Sequence, residues 1–88
     1  MKIGTTPVSL KERIQSIHDT IRMKQVLNGH DLAVILEISE PYLNRLLRFY
    51  VQGINRFKLV KSNGHKFYVY FIGKMDRDKE GLMKKRYK

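Results

Sequence analysis

Tyr42, Asn44, Arg45 and Arg48 lie within one stretch, Pro41–Gln52 or PYLNRLLRFYVQ, and bring a phenol, an amide and two guanidinium groups close together. In a helix, the rotation of about 100° per residue puts Leu43, Leu46, Leu47 and Tyr50 on one side. Pro41, Arg45, Arg48 and Gln52 then share the other, flanked by Tyr42, Asn44 and Phe49. Such a face is cationic, amide-bearing and aromatic, which is the chemistry that bonds base edges and phosphate oxygens. The solvated side of a plain helical hairpin can carry the same residue types, so the neighbouring elements must discriminate.

The preceding residues supply a positioning frame. Asn28 can cap a helix, because its side-chain oxygen can accept a first-turn amide that has no carbonyl partner. Leu32, Ala33 and Leu36 then form an apolar stripe. Glu37-Ile38-Ser39 reads as a three-residue turn, with Ile38 as a buried plug and Ser39 as the next N-cap. Pro41 suits the first turn of the following helix, where a missing N–H costs little. The predicted second helix covers residues 40–52.

Upstream, residues 1–8 contain Pro7 and no periodic pattern, and read as an arm. Ser9 and Glu12 fit a capping box. Leu10, Ile14, Ile17 and Ile21 recur at spacings of four, three and four, predicting one buried helical stripe up to Met23 or Lys24. His18 lies beside that stripe and reads as a packing residue. Gln25–Leu27 is a short extended link or a small strand.

Downstream, Gly53 is placed to end the second helix in a left-handed conformation. Two runs rich in aromatic and β-branched residues follow, FKLVK at 57–61 and KFYVYFI at 66–72, around Ser62-Asn63-Gly64-His65. Asn63-Gly64 predicts a two-residue type I′ turn, pairing Lys61 with Lys66, Val60 with Phe67 and Leu59 with Tyr68. Facing lysines repel by a few tenths of a kcal/mol unless a phosphate lies between them or both swing into water. Both faces of the second run are apolar, so one is expected on the helices and the other on the tail or a second subunit.

Residues 74–88, KMDRDKEGLMKKRYK, carry seven basic and three acidic side chains. This tail reads either as a disordered arm or as a short helix with Leu82, Met83 and Tyr87 on one face, set against a dimer partner.

The chain has 88 residues, no cysteine and a net charge of +10. Residues 1–39 hold only +1 of that charge, and residues 40–88 hold +9. This asymmetry points to a polyanionic partner. Without cysteine, neither a disulfide nor a cysteine-ligated zinc supports a core of this size. No apolar run is long enough to cross a bilayer and no signal sequence is evident, so a cytoplasmic, nucleoid-associated protein is expected.

Enzyme chemistry is not expected. The sequence has no glycine-rich phosphate loop, no G-x-S-x-G and no H-E-x-x-H. Asp76-x-Asp78-x-Glu80-Gly81 starts like a calcium loop, but its twelfth position is Tyr87, where a bidentate glutamate is required. His18, His30 and His65 are too scattered to suggest a metal site. No cofactor and no small-molecule ligand are expected.

The pattern Leu32-Ala33, Ile38-Ser39, Leu43 to Leu47, Gly53-Ile54 and Asn63-Gly64 resembles the winged helix-turn-helix superfamily from Ser9 to Gly73, about three quarters of the chain. Locally, SEPYLNRLLR is also similar to the recognition helix of AraC-type activators, which favour S-x-x-Y-L-x-R-L. Those proteins use two such units, and this chain is too short for both.

The resemblance implies an α+β fold: three helices and a two-stranded wing over residues 9–73, then the basic tail. It also implies a sequence-specific double-stranded DNA-binding protein, a small transcriptional regulator of phage or mobile-element type. Pro41, Tyr42, Asn44 and Arg45 would read bases. Ser39, Arg48, Gln52, Arg56, Lys58, Lys61, Asn63, His65, Lys66, Lys84, Lys85 and Arg86 would contact the DNA backbone. Specific affinity would call for a homodimer or adjacent copies. Two alternatives remain: RNA or single-strand binding with Tyr68, Tyr70 and Phe71 as stacking surfaces, and docking of an acidic protein on the apolar hairpin face.

Overall fold

The computed structural model describes residues 9–87, and the expected arm over residues 1–8 lies outside them. Ser9 starts helix α1 (Leu10–Lys24) by accepting the Glu12 amide on its hydroxyl oxygen at 3.2 Å. Ile17 and Ile21 are fully buried, whereas Leu10 is 42% exposed, so the buried stripe begins later than its spacing predicts. Gln25 ends the helix at φ 70, ψ −48, and Val26 N–H bonds the Lys24 carbonyl at 2.9 Å. This is a γ-turn of the strained, positive-φ kind.

The link then forms a short strand, β1 (Leu27–Asn28). Asn28 caps helix α2 (Gly29–Leu36), its Oδ1 accepting the Asp31 amide at 2.7 Å. Glu37 closes α2 in the left-handed region, and Ser39 caps helix α3 (Glu40–Phe49) by accepting the Tyr42 amide at 3.3 Å. The three-residue turn is therefore residues 37–39, as the residue types predict.

Helix α3 is shorter than expected. The amides of Tyr50 and Val51 both bond the Leu46 carbonyl, at 3.0 and 3.1 Å, which widens the last turn and releases the chain after Phe49. Gln52 is thus off the helix, and Tyr50, expected on the buried side, is 51% exposed. Gly53 does adopt positive φ (80°), but it serves the entry into strand β2 (Ile54–Val60) rather than the helix end.

Strands β2 and β3 (Lys66–Ile72) form an antiparallel hairpin, and β1 adds to the far edge of β3, giving the order β1-β3-β2. The register differs by one residue from a two-residue turn. Lys61 N–H bonds the His65 carbonyl at 2.8 Å, and Gly64 N–H bonds the Lys61 carbonyl at 2.9 Å. Of the loop residues Ser62, Asn63 and Gly64, only the glycine has positive φ (86°). Asn63 instead accepts the His65 amide on its side chain at 2.9 Å, which favours the three-residue loop over the I′ turn. The pairs are Val60 with Lys66, Lys58 with Tyr68 and Arg56 with Tyr70, so Lys61 does not face Lys66.

A one-residue shift moves every side chain on one strand to the opposite face relative to its partner. Here it places Arg56 and Lys58 on the same face as Tyr68 and Tyr70. That face packs on Ile17, Ile21, Leu32, Leu43 and Leu46 around the buried Tyr70. Val69 and Phe71 point the other way, against Val26 and the buried Met83 of helix α4 (Arg77–Tyr87). The tail thus folds back as a helix over the chain's own sheet. Asp76 caps it, accepting the Lys79 amide at 2.8 Å, and its acidic first and basic last turns complement the helix dipole.

The described residues therefore make an α+β fold of four helices and a three-stranded antiparallel sheet. The expected three helices and two-stranded wing over residues 9–73 are joined by the two elements the sequence left open: the link after α1 is a strand, at Leu27–Asn28, and the tail is a helix, set on the chain's own sheet. None of these helices is long and apolar enough to cross a membrane.

Candidate nucleic-acid interface

Leu43 and Leu46 hold α3 in place, at 0% and 1% exposure. Full burial of each is worth about 1.5–3 kcal/mol, so the opposite face is held outward. Pro41 and Arg45 form its exposed crest. Among the described residues neither Arg45 nor Arg48 takes part in an ion pair. The flanks differ. Tyr42 leans toward α1, where the Arg13 guanidinium lies 5.9 Å from its ring centroid. Asn44 and Arg48 turn toward the hairpin.

The hairpin adds cations backed by aromatic rings. The Arg56 guanidinium sits 4.3 Å from the Tyr68 ring centroid, and Lys61 Nζ is 5.5 Å from that of Phe67. His65 stacks on the same Phe67 at 6.3 Å. Lys58 and Lys66 are exposed. Asn63 is exposed too, with its carbonyl oxygen committed to the turn.

Between α3 and the hairpin run two grooves. One, of about 660 Å³, is lined by Asn44, Arg48, Asn55, Arg56 and Tyr68; the other, of about 640 Å³, by Asn44, Lys61, His65 and Lys66 together with the start of α2. Asn44, Tyr68 and Tyr70 border both. The structure thus gathers Asn44, Arg48, Arg56, Lys61, His65 and Lys66 around one depression, with Arg45 and Pro41 on the ridge beside it.

Sequence reasoning missed several groove residues. Asn28, Gly29 and His30 reach it from the N-terminus of α2, and His30 Nδ1 lies 3.2 Å from Glu40 Oε2. The pair places a partner beside the one carboxylate among the lining residues. Asn55 donates to the Gly73 carbonyl at 2.6 Å and so closes the base of the hairpin. The alternation in β2 could have revealed the Arg56–Tyr68 stack, but only in the correct register.

Other expected contacts are committed elsewhere. Ser39 uses its oxygen as the α3 cap. Arg86, expected at the DNA backbone, is exposed and lines the groove of about 640 Å³, but it also acts as a clamp: its Nη1 donates to the carbonyls of Lys24 and Val26 at 2.8 and 2.7 Å, on either side of the γ-turn at Gln25. Lys84 pairs with Glu80 at 3.7 Å across one helical turn, and Lys85 is exposed. Tyr70 and Phe71 are 8% and 6% exposed, so of the three proposed stacking rings only Tyr68 is accessible.

Next to the Arg86 clamp, Tyr87 accepts the Asn28 amide at 3.0 Å and donates to Asp31 Oδ2 at 2.8 Å. Burial, together with that carboxylate, pushes its hydroxyl up to about 12. Burial also raises Tyr70, against the opposing charge of Arg56.

The surface so assembled combines a fixed helix crest with free guanidinium groups, a basic hairpin and an intervening groove with aromatic walls. Such a set can bond phosphate oxygens, the edges of bases and the face of a planar ring. No protein-family profile, curated protein or solved structure matches this chain.

Proposed function

We propose that the chain is a winged helix-turn-helix protein that binds double-stranded DNA, seating α3 in the major groove and setting the hairpin against the adjacent phosphates. The observation that carries this reading is the outward side of α3, Arg45 on its crest and Arg48 on the flank toward the hairpin. Two guanidinium groups with no ion-pair partner among the described residues stand on a helix whose other side is locked by Leu43 and Leu46. The strand order β1-β3-β2, with β1 entered between α1 and α2, suits the same reading, as does the +9 charge carried by residues 40–88.

In this arrangement Arg45 bonds guanine O6 and N7 at the groove floor, and Arg48, Lys58, Lys61 and Lys66 neutralise phosphates. A single domain of this size buries limited surface, so specific binding involves two copies on adjacent half-sites. The role is that of a small transcriptional regulator.

Selection from random duplexes, followed by titration of Arg45→Ala, tests the proposal. Loss of a bidentate contact costs about 1–3 kcal/mol of discrimination, so the variant is expected to lose about 5- to 150-fold of its preference at one position of the selected site. Its melting temperature should stay unchanged, because Arg45 is exposed. Equal preference in variant and parent would overturn groove reading by α3.

A further inference from the structure

The depression beside α3 is a poor fit to a paired duplex. Bases within a duplex offer only their edges, whereas this trough offers a face. The Arg56 guanidinium carbon lies over the Tyr68 ring, 4.3 Å from its centroid, and both side chains line the groove of about 660 Å³, with Arg56 exposed. A volume of this size falls in the range of roughly 300–1,000 Å³ that suits small planar ligands. Guanidinium planes and aromatic rings are the usual stacking partners of unpaired bases.

The polar groups around the stack suit the rest of a nucleotide. The Asn44 amide, which borders both grooves, supplies one acceptor and two donors for a base edge. Arg48 at one end and Lys61 and Lys66 at the other provide cations for the flanking phosphates. Glu40, the acidic residue on this lining, is paired with His30 at 3.2 Å.

From this geometry we propose that the trough holds one unpaired nucleotide where double-stranded DNA passes into single-stranded DNA. The base stacks on the Arg56 plane backed by Tyr68 and bonds the Asn44 amide, while α3 holds the adjoining duplex. The inference rests on the duplex reading of α3 and extends it to a preferred DNA form: a junction rather than an uninterrupted helix. It gives Asn44 a role on the hairpin side of α3, apart from the crest that Arg45 occupies.

The test compares one labelled sequence as a blunt duplex, as a duplex with a short single-stranded overhang, and as the single strand alone. The fluorescent adenine analogue 2-aminopurine is placed at the first unpaired position. Stacking on an aromatic or guanidinium plane should make the overhang duplex bind roughly tenfold more tightly than the blunt one and quench the probe. Arg56→Gln should bring the two forms to equal affinity and restore the fluorescence. Tyr68→Phe, which keeps the ring, should retain the preference. Tyr68 also packs on the core, so Arg56→Gln at an exposed position is the variant that decides.

Equal affinity for blunt and overhang duplexes, with no quenching, overturns the trough and leaves the duplex reading intact. A single strand that binds as tightly as the junction, with quenching lost in Arg56→Gln, supports the trough and overturns the duplex part. Binding of none of the three overturns both. Quenching abolished by millimolar deoxyadenosine monophosphate at unchanged DNA affinity would assign the trough to a free nucleotide and overturn the junction.

Discussion

Glu37 shows how much one residue type can matter in the frame that aims α3. It closes α2 at φ 57, ψ 44 and is exposed, so its side chain gains no burial to offset the conformation. A left-handed conformation costs a residue with a Cβ about 1–2 kcal/mol, and glycine returns part of the gain through its freer unfolded state. Glu37→Gly is therefore expected to stabilise the chain by about 0.5–1 kcal/mol, read as a higher urea midpoint at unchanged slope. A lower midpoint would mean that the turn holds no such strain. At this scale the helix starts were legible in the sequence, because Ser9, Asn28 and Ser39 each accept an amide only three residues on. The role of Arg86 was not legible, since its acceptors lie 62 and 60 residues away.

Among the elements, α4 departs furthest from what composition suggests. Its charged sequence reads as solvated, yet Met83 is 3% exposed, and Leu82 and Tyr87 pack on the outer face of the sheet. The helical face of Leu82, Met83 and Tyr87 was visible in the spacing; its partner, the chain's own β3, depended on the third dimension. The hairpin shows the converse. Its existence and tip were plain, but the choice between a two-residue and a three-residue loop turned on one asparagine bond, and that choice set the face of Arg56. The docking of α4 carries a pH signature. Tyr87 is raised to about 12 in the folded chain by burial and the Asp31 carboxylate, against an ordinary value of about 10. Its neutral form is favoured by folding, so this stabilisation is complete below about 10 and is lost as pH rises through 12. A tyrosinate absorbance titration should show late-ionising phenol groups, and Tyr87→Phe should remove the component near 12. Burial raises Tyr70 as well, so the amplitude decides: a late component that keeps its full size in the variant would mean that the Asn28–Tyr87–Asp31 bonds do not form.

Over the whole molecule, charge and packing divide the chain into a nearly neutral scaffold and a cationic half. Residues 1–39 carry +1 and contribute Ile17, Ile21 and Leu32 to the core, while the +8 of the described residues 40–87 is arranged around α3, the hairpin and α4. Not all of those cations are equally available, and the structure separates them in a way that composition could not. Lys61 and Lys66 are exposed at the hairpin end, whereas Arg86 is bound to two backbone carbonyls. Each lysine that neutralises a phosphate adds about 0.9 to the dependence of log K on log salt concentration. The Lys61→Ala, Lys66→Ala double variant should therefore flatten that dependence by nearly two units on duplex DNA, with little change in melting temperature. Arg86→Ala should do the reverse, leaving the salt slope near that of the parent while lowering the melting temperature, because α4 loses its hold on the γ-turn. Affinities measured between 50 and 200 mM salt, alongside thermal melts of each variant, separate the two effects. An unchanged slope in the double variant would remove the hairpin from the phosphates, and a flattened slope in a still stable Arg86→Ala would return that residue to the interface.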